Sequence, residues 1–319
     1  MTGAHKTARD DGAPAAHWGR RLGLFGNPVV IKELRGRMRG ARAFAVLTVY
    51  LALMSGFTIL LYVLAASARD IYGFTTGGQI GRTLFSGIVG IELFLVTFIA
   101  PAFTAGAISG ERERQTYDLL RTTLLPARSL VIGKLVSALS YVMLLLLAAI
   151  PLQSIAFLFG GVAEIEIVLA TVILAVTAVM LGALGIYYSA ALPRTIAANV
   201  TTYGVTLIVI MGLPLLGLGA TALLTPRAHL LPPAAQMALL YGLMALIISN
   251  PLATAFATQY WLLEKQSAGV FTQLITDPIS GASYQAPLLS PWIPFTVLYL
   301  IIAAILVYRA VRRVRRIDA

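Results

Sequence analysis

Apolar residues in this chain come in long continuous runs, without the three-four spacing of an amphipathic helix or the alternation of a half-buried strand. Six runs reach the length needed to cross a bilayer, about 20 residues each. They lie at about 43–66, 83–107, 135–159, 167–191, 197–224 and 292–308. A seventh apolar stretch, Gln236 to Leu263, is cut by Asn250-Pro251. It falls in the 225–291 segment and is expected to form a re-entrant pair or an interfacial helix on the outer side. The stretch from Glu264 to Pro291 reads as a polar loop, with turn signals at Asp277-Pro278 and Ser280-Gly281.

Before the first run the pattern changes. Residues 1–26 are polar and mixed, which predicts a disordered tail without the apolar core of a signal peptide. Asn27 and Pro28 suit the cap and first position of a helix over 27–40. Val30, Ile31, Leu34 and Met38 share one face of it, while Lys32, Glu33, Arg35, Arg37 and Arg39 cover the rest. A basic amphipathic helix of this kind lies in the headgroup plane as an elbow.

Composition agrees with the runs. Of 319 residues, 58% are hydrophobic and 12% charged, with a mean hydropathy of +0.84, where soluble domains carry roughly 25% charge. The net charge of +11 is distributed by topology. With both termini in the cytoplasm, 20 of the 24 Lys and Arg residues fall on inside segments, the bias expected of loops that resist translocation. Basic residues interleaved with aromatics outside the membrane runs are lacking, which argues against nucleic acid. Cysteine is absent and His5, His17 and His229 are far apart in sequence, so no metal site is expected.

The charged island from Ala107 to Lys134 interrupts the apolar pattern most sharply. Its residues predict a helix over about 110–125, with Glu111 and Glu113 near its start and Arg121 near its end, as the helix dipole favours. Tyr117, Leu120 and Leu124 form an apolar stripe with Thr116 and Leu119 beside it, and Pro126 stops the helix. The sequence Gly110-Glu-Arg-Glu-Arg-Gln-Thr-Tyr-Asp-Leu-Leu-Arg-Thr-Thr-Leu-Leu-Pro126, followed by Arg128 and Ile132-Gly133-Lys134, resembles the ABC-2-type permeases. These are membrane subunits of ATP-driven exporters of the sodium-export and gliding-motility kind. The 27–39 segment resembles the helix before that family's first span.

The resemblance implies that the island is a coupling helix docking on a cytoplasmic ATPase. Glu111, Arg112, Glu113, Thr116, Leu119 and Leu120 would form the contact, and Asn27, Pro28, Glu33 and Leu34 would belong to the elbow. It also implies a pathway between two permease halves, from a second copy or a homologous permease, in a bacterial inner membrane. No Gly-x-x-x-x-Gly-Lys-Ser/Thr sequence occurs in the chain, so ATP and Mg are expected on a separate subunit and no cofactor on this one. The expected fold is all-α, a polytopic membrane helical bundle of six spans. One permease domain covers 27–311, between the tail at 1–26 and a basic tail at 312–319.

Glu92 is the one acidic residue well inside an expected span, which makes it a pathway candidate; the structural alternative is a side chain hydrogen-bonded to a neighbour through Gln153 or a hydroxyl. Pro101, Pro151 and Pro214 are expected to kink their spans or to leave carbonyls that neighbouring helices satisfy. Two other functions compete with an exporter subunit. A secondary, ion-coupled transporter would show inverted repeats and several buried polar groups. An intramembrane enzyme would need paired carboxylates or a Ser-His set at depth, and the expected spans offer Glu92 alone.

Overall fold

In the computed structural model, residues 41–72, 77–116, 126–224, 226, 231–276 and 283–318 are described. The 27–40 elbow segment and residues 117–125 of the island lie outside them. The helices are α1 (Ala41–Tyr72), α2 (Gly77–Thr104), α3 (Ser109–Glu113), α4 (Ala127–Leu158), α5 (Glu164–Ala191), α6 (Thr195–Leu207) and α7 (Leu213–Leu224). They are followed by α8 (Pro233–Ile248), α9 (Pro251–Lys265), strands β1 (Val270–Thr276) and β2 (Ser283–Leu289), and α10 (Trp292–Asp318). Among the described residues six helical segments are long and apolar enough to cross a membrane, with α6 and α7 joined in one of them. The molecule is therefore a mostly helical apolar bundle, compatible with a multi-pass membrane protein.

The centre of the bundle is α5, which packs against α2, α4 and α10. Its buried face is rich in small residues, Ala170, Ala178, Gly182, Ala183, Gly185 and Ala190 among them, which let backbones approach closely where lipid offers no hydrophobic driving force between helices. Gly185 shows why: a Cβ there would lie 2.1 Å from Thr104 Oγ1 and 3.0 Å from the Ala105 nitrogen. In contrast, among its described side chains α1 buries the stripe Tyr50, Met54 and Thr58, while Val49, Leu53, Leu60 and Val63 stay exposed. The α6–α7 segment buries Ala198, Thr202 and Thr206 alone. Such apolar outer faces suit contact with lipid.

Helix ends sort into two groups. At one end, Ile108, Leu130, Val131, Ile186, Ala190, Ala310, Val311 and Val314 form a shared cluster. It brings together the end of α2, the start of α4 and the ends of α5 and α10. At the other end, the start of α2 meets the α4–α5 turn. There Gly161 adopts a φ of +79°, and a Cβ would lie 2.2 Å from the Gly78 carbonyl oxygen, so glycine is required on both counts. The first group of ends carries Arg112, Arg128, Arg194 and the arginines from Arg309 to Arg316, and is called the arginine-rich end below.

Two helices, α8 and α9, occupy the interrupted 236–263 stretch and meet at a 118° bend between Ile248 and Pro251. The bend is knitted to the α6–α7 segment. Pro214 has no N–H for the carbonyl four residues earlier, that of Ile210, and the helix passes through a π-helical turn at Ile208–Gly212. Asn250, 1% exposed, answers from the bend: its Nδ2 donates to the carbonyls of Val209 at 2.9 Å and Ile210 at 3.0 Å. Its Oδ1 accepts from the Ala253 N–H at 2.9 Å, capping α9. The Tyr299 hydroxyl donates to the Ser249 carbonyl at 2.8 Å, and the Thr254 hydroxyl to that of Ile247 at 2.9 Å.

The polar loop expected over 264–291 contains a hairpin in an otherwise α structure. β1 and β2 pair antiparallel from Val270↔Leu289 to Thr276↔Ser283. Val270-Phe-Thr-Gln-Leu-Ile-Thr276 is rich in β-branched and aromatic residues, which favours a strand. Phe271 packs against Trp261 of α9 with ring centres 4.8 Å apart and the rings tilted by 46°, and Trp292 donates to the Ala268 carbonyl at 2.8 Å. α10 continues as helix through the basic tail, well past the expected end of the sixth span near 308.

Candidate functional site

The island begins where α2 ends. After Thr104 the chain makes a tight turn and re-enters a helix at Ser109. The Ile108 position offers no side-chain cap, so the first N–H groups of α3 need acceptors from elsewhere. Ser189 of α5 supplies one: its Oγ accepts from the N–H groups of Ile108 at 2.8 Å and Ser109 at 3.0 Å. This contact forms where Gly185, one turn earlier on α5, lets Thr104 of α2 approach.

The charged side chains then bind three further helix ends. Glu111 Oε1 lies 3.2 Å from Lys134 Nζ on α4, and Lys134 is buried, at 5% exposed. The Thr116 hydroxyl donates to the other Glu111 carboxylate oxygen. Arg112 Nη2 donates to the Ala190 carbonyl at 3.2 Å, a cation at the C-terminal end of α5 as the helix dipole favours. Glu113 accepts from the Thr195 N–H and from its hydroxyl, each at 2.8 Å. Arg194, at the cap of α6, makes no capping hydrogen bond of its own, and Glu113 fills that role.

The helix expected over 110–125 is thus not continuous. It stops at Glu113, and Gln115 sits at a φ of 57°, a left-handed conformation uncommon for a side-chain-bearing residue. Four of the six residues named for the coupling contact, Glu111, Arg112, Glu113 and Thr116, fall together at this turn. Leu119 and Leu120 lie outside the described residues, as do Asn27, Pro28, Glu33 and Leu34. The Glu111 carboxylate turns toward buried Lys134, while Glu113 is itself exposed, and the exposed groups beside it are Arg114, Gln115, Pro193, Arg194 and Ile196.

Sequence reasoning did not single out Ser189, Thr195 or Lys134 as members of this knot. One local signal existed: Thr195 opens a helix directly after Pro193-Arg194, where no preferred capping residue stands, so an acceptor had to come from another segment.

A second polar feature lies within the bundle. Glu92 on α2 and Gln153 on α4 are fully buried, with Gln153 Nε2 donating to Glu92 Oε2 at 2.5 Å. This is the bond to Gln153 weighed from the sequence. Glu92 Oε1, Gln153 Oε1 and the hydroxyl of buried Tyr50 on α1 have no hydrogen-bond partner among the described residues. Comparison with family models and with curated proteins finds no match to this chain.

Proposed function

We propose that the chain is the membrane-spanning permease subunit of an ABC exporter, forming its pathway as a dimer with a second copy or a homologous permease. It carries no catalytic site of its own; ATP and Mg belong to a separate cytoplasmic ATPase that docks at the island. The observation that carries this reading is the knot at the arginine-rich end. A five-residue helix is tied by Ser189, Lys134, Arg112 and Glu113 to α4, α5 and α6, so a push delivered there reaches the ends of four spans together. A solvated connector loop would need no such ties.

In this reading the arginine-rich end is cytoplasmic, which follows from the bias of Lys and Arg toward the inner side. The 27–40 segment is the elbow on the membrane surface. The α8–α9 pair enters from the outer side and turns back. Its hydrogen-bonded bend supports this, since irregular backbone at membrane depth requires burial in protein, and Val209 and Ile210 lie halfway along the α6–α7 span. Glu111 and Glu113 then act by shaping the docking turn, and the partner meets Arg114, Gln115 and the 117–125 stretch.

Co-expression with a Walker-motif ATPase tests the docking. Arg114→Glu and Leu120→Asp should each abolish association and the permease-stimulated ATPase rate while leaving the helical circular dichroism spectrum intact. Unchanged association in both variants would refute the assignment.

The Glu92–Gln153 pair favours a second reading, a secondary transporter coupled to an ion, because a buried carboxylate with an open acceptor can take up a cation or proton. Gradient-driven uptake into vesicles holding this chain alone, lost in Glu92→Gln, would favour that reading over the first.

A further inference from the structure

At the arginine-rich end a crevice of about 640 Å³ opens between α4, α5 and α10. Its lining changes character along its length. Leu300, Ala303, Ala304 and Val307 of α10, with Ile132 and Val179 opposite, make an apolar channel. Arg128 of α4 and Arg312 and Arg315 of α10 form the rim, with Tyr308 between the two zones. Arg312 stacks over the Tyr308 ring at 5.1 Å, which holds its guanidinium at the mouth. Among the described residues no carboxylate lines the crevice. None of the three arginines forms a salt bridge among the described residues.

From these features we infer that the crevice holds one anionic phospholipid as a bound structural lipid, distinct from any cargo. The phosphate sits between Arg128, Arg312 and Arg315, and one acyl chain lies along the apolar channel. Three lines converge on this occupant. Guanidinium forks suit phosphate oxygens, and here they come from two helices with no carboxylate paired to them among the described residues. The face Leu300, Ala304, Val307, Val311 recurs at helical spacing and rises about 16 Å at 1.5 Å per residue. That matches one leaflet of a hydrocarbon core roughly 30 Å thick. Finally, the charged rim follows the apolar channel at the end of α10, as a headgroup follows its chains. A basic bias required only for orientation would need neither a concave site nor an apolar extension of it.

Native mass spectrometry of the full chain, purified with dioleoyl phosphatidylglycerol or dioleoyl phosphatidylcholine, reads the occupancy. The phosphatidylglycerol form should exceed the phosphatidylcholine form by about tenfold or more. Arg128→Gln/Arg315→Gln should lower its retention by about 25-fold, at roughly fivefold per arginine. The charge-matched Arg114→Gln/Arg194→Gln should change it less than about twofold. Ala304→Trp, which fills the channel and leaves every charge in place, should also displace the lipid. Inorganic phosphate at 10 mM should not compete, since it cannot use the channel. Equal retention of the two lipids, equal losses in the two double variants, unaltered retention in Ala304→Trp, or full displacement by phosphate would each overturn the inference.

Discussion

Asn250 concentrates the energetics of the α8–α9 bend in one side chain, and replacing it gives a sharp test of the fold. Asn250→Ala removes the cap of α9, which accepts at 2.9 Å, and two donations to the carbonyls of Val209 and Ile210 at 2.9 and 3.0 Å. An N-cap contributes about 1 kcal/mol, and hydrogen bonds between membrane helices average about 0.6 kcal/mol each. The expected destabilisation is therefore about 2 kcal/mol. Asn250→Ser keeps a capping oxygen but cannot reach the carbonyls, and should cost about half as much. Equilibrium unfolding in mixed micelles, followed by far-ultraviolet circular dichroism, separates the two. Pro214→Ala restores an N–H opposite the Ile210 carbonyl, so part of the Asn250→Ala cost should disappear in that background. A loss below about 0.5 kcal/mol for Asn250→Ala, the level of an ordinary surface change, would refute the reasoning.

Further outcomes concern the knot at the arginine-rich end. Glu113→Ala should lower the thermal unfolding midpoint in detergent through loss of the α6 cap, with Glu113→Gln falling between it and the unaltered chain. Lys134→Met and Glu111→Gln should be non-additive, with a coupling of about 1 kcal/mol in a double-mutant cycle because the lysine is buried. Gly185→Ala should cost about 1–3 kcal/mol by forcing Thr104 away. Gly185→Ala/Thr104→Ala should recover much of that loss, a rescue measured by the same unfolding assay.

Membrane-sized helices were readable because each is a run of apolar residues long enough to need no partner for its identification. Their starts were less so: α4 begins at Ala127, through Arg128 and Lys134, because the Glu111 carboxylate and the cluster of helix ends make room for charge inside the helix. The hairpin escaped notice since the turn-forming residues 277–282 dominate the composition of the 264–291 stretch, although Val270, Thr272, Ile275 and Thr276 carry the β-branched preference. Pro214 and Asn250-Pro251 read as separate interruptions. Only the fold shows that the second supplies the donors where the first withdraws one, across 40 residues.

The candidate docking turn was half legible. Its charge marked Glu111, Arg112 and Glu113, yet their roles depend on Lys134, Ala190 and Thr195, and the Glu113–Thr195 contact spans 82 positions in the chain. No spacing rule reaches that far. A helix written by propensity across 110–125 also ignored the demand that Glu111 accept from Thr116 while Glu113 reaches Thr195, which turns the backbone at Gln115.

The central proposal is that this chain is a permease subunit driven by a separate ATPase. Its most direct test is isolation of the untagged partner from native membranes in mild detergent, followed by reconstitution of the pair. The account expects a soluble protein carrying Gly-x-x-x-x-Gly-Lys-Ser/Thr to co-purify near stoichiometry, with MgATP hydrolysis that rises when the permease is added. Failure of any such ATPase to bind, together with transport by this chain alone down an ion gradient, would contradict it.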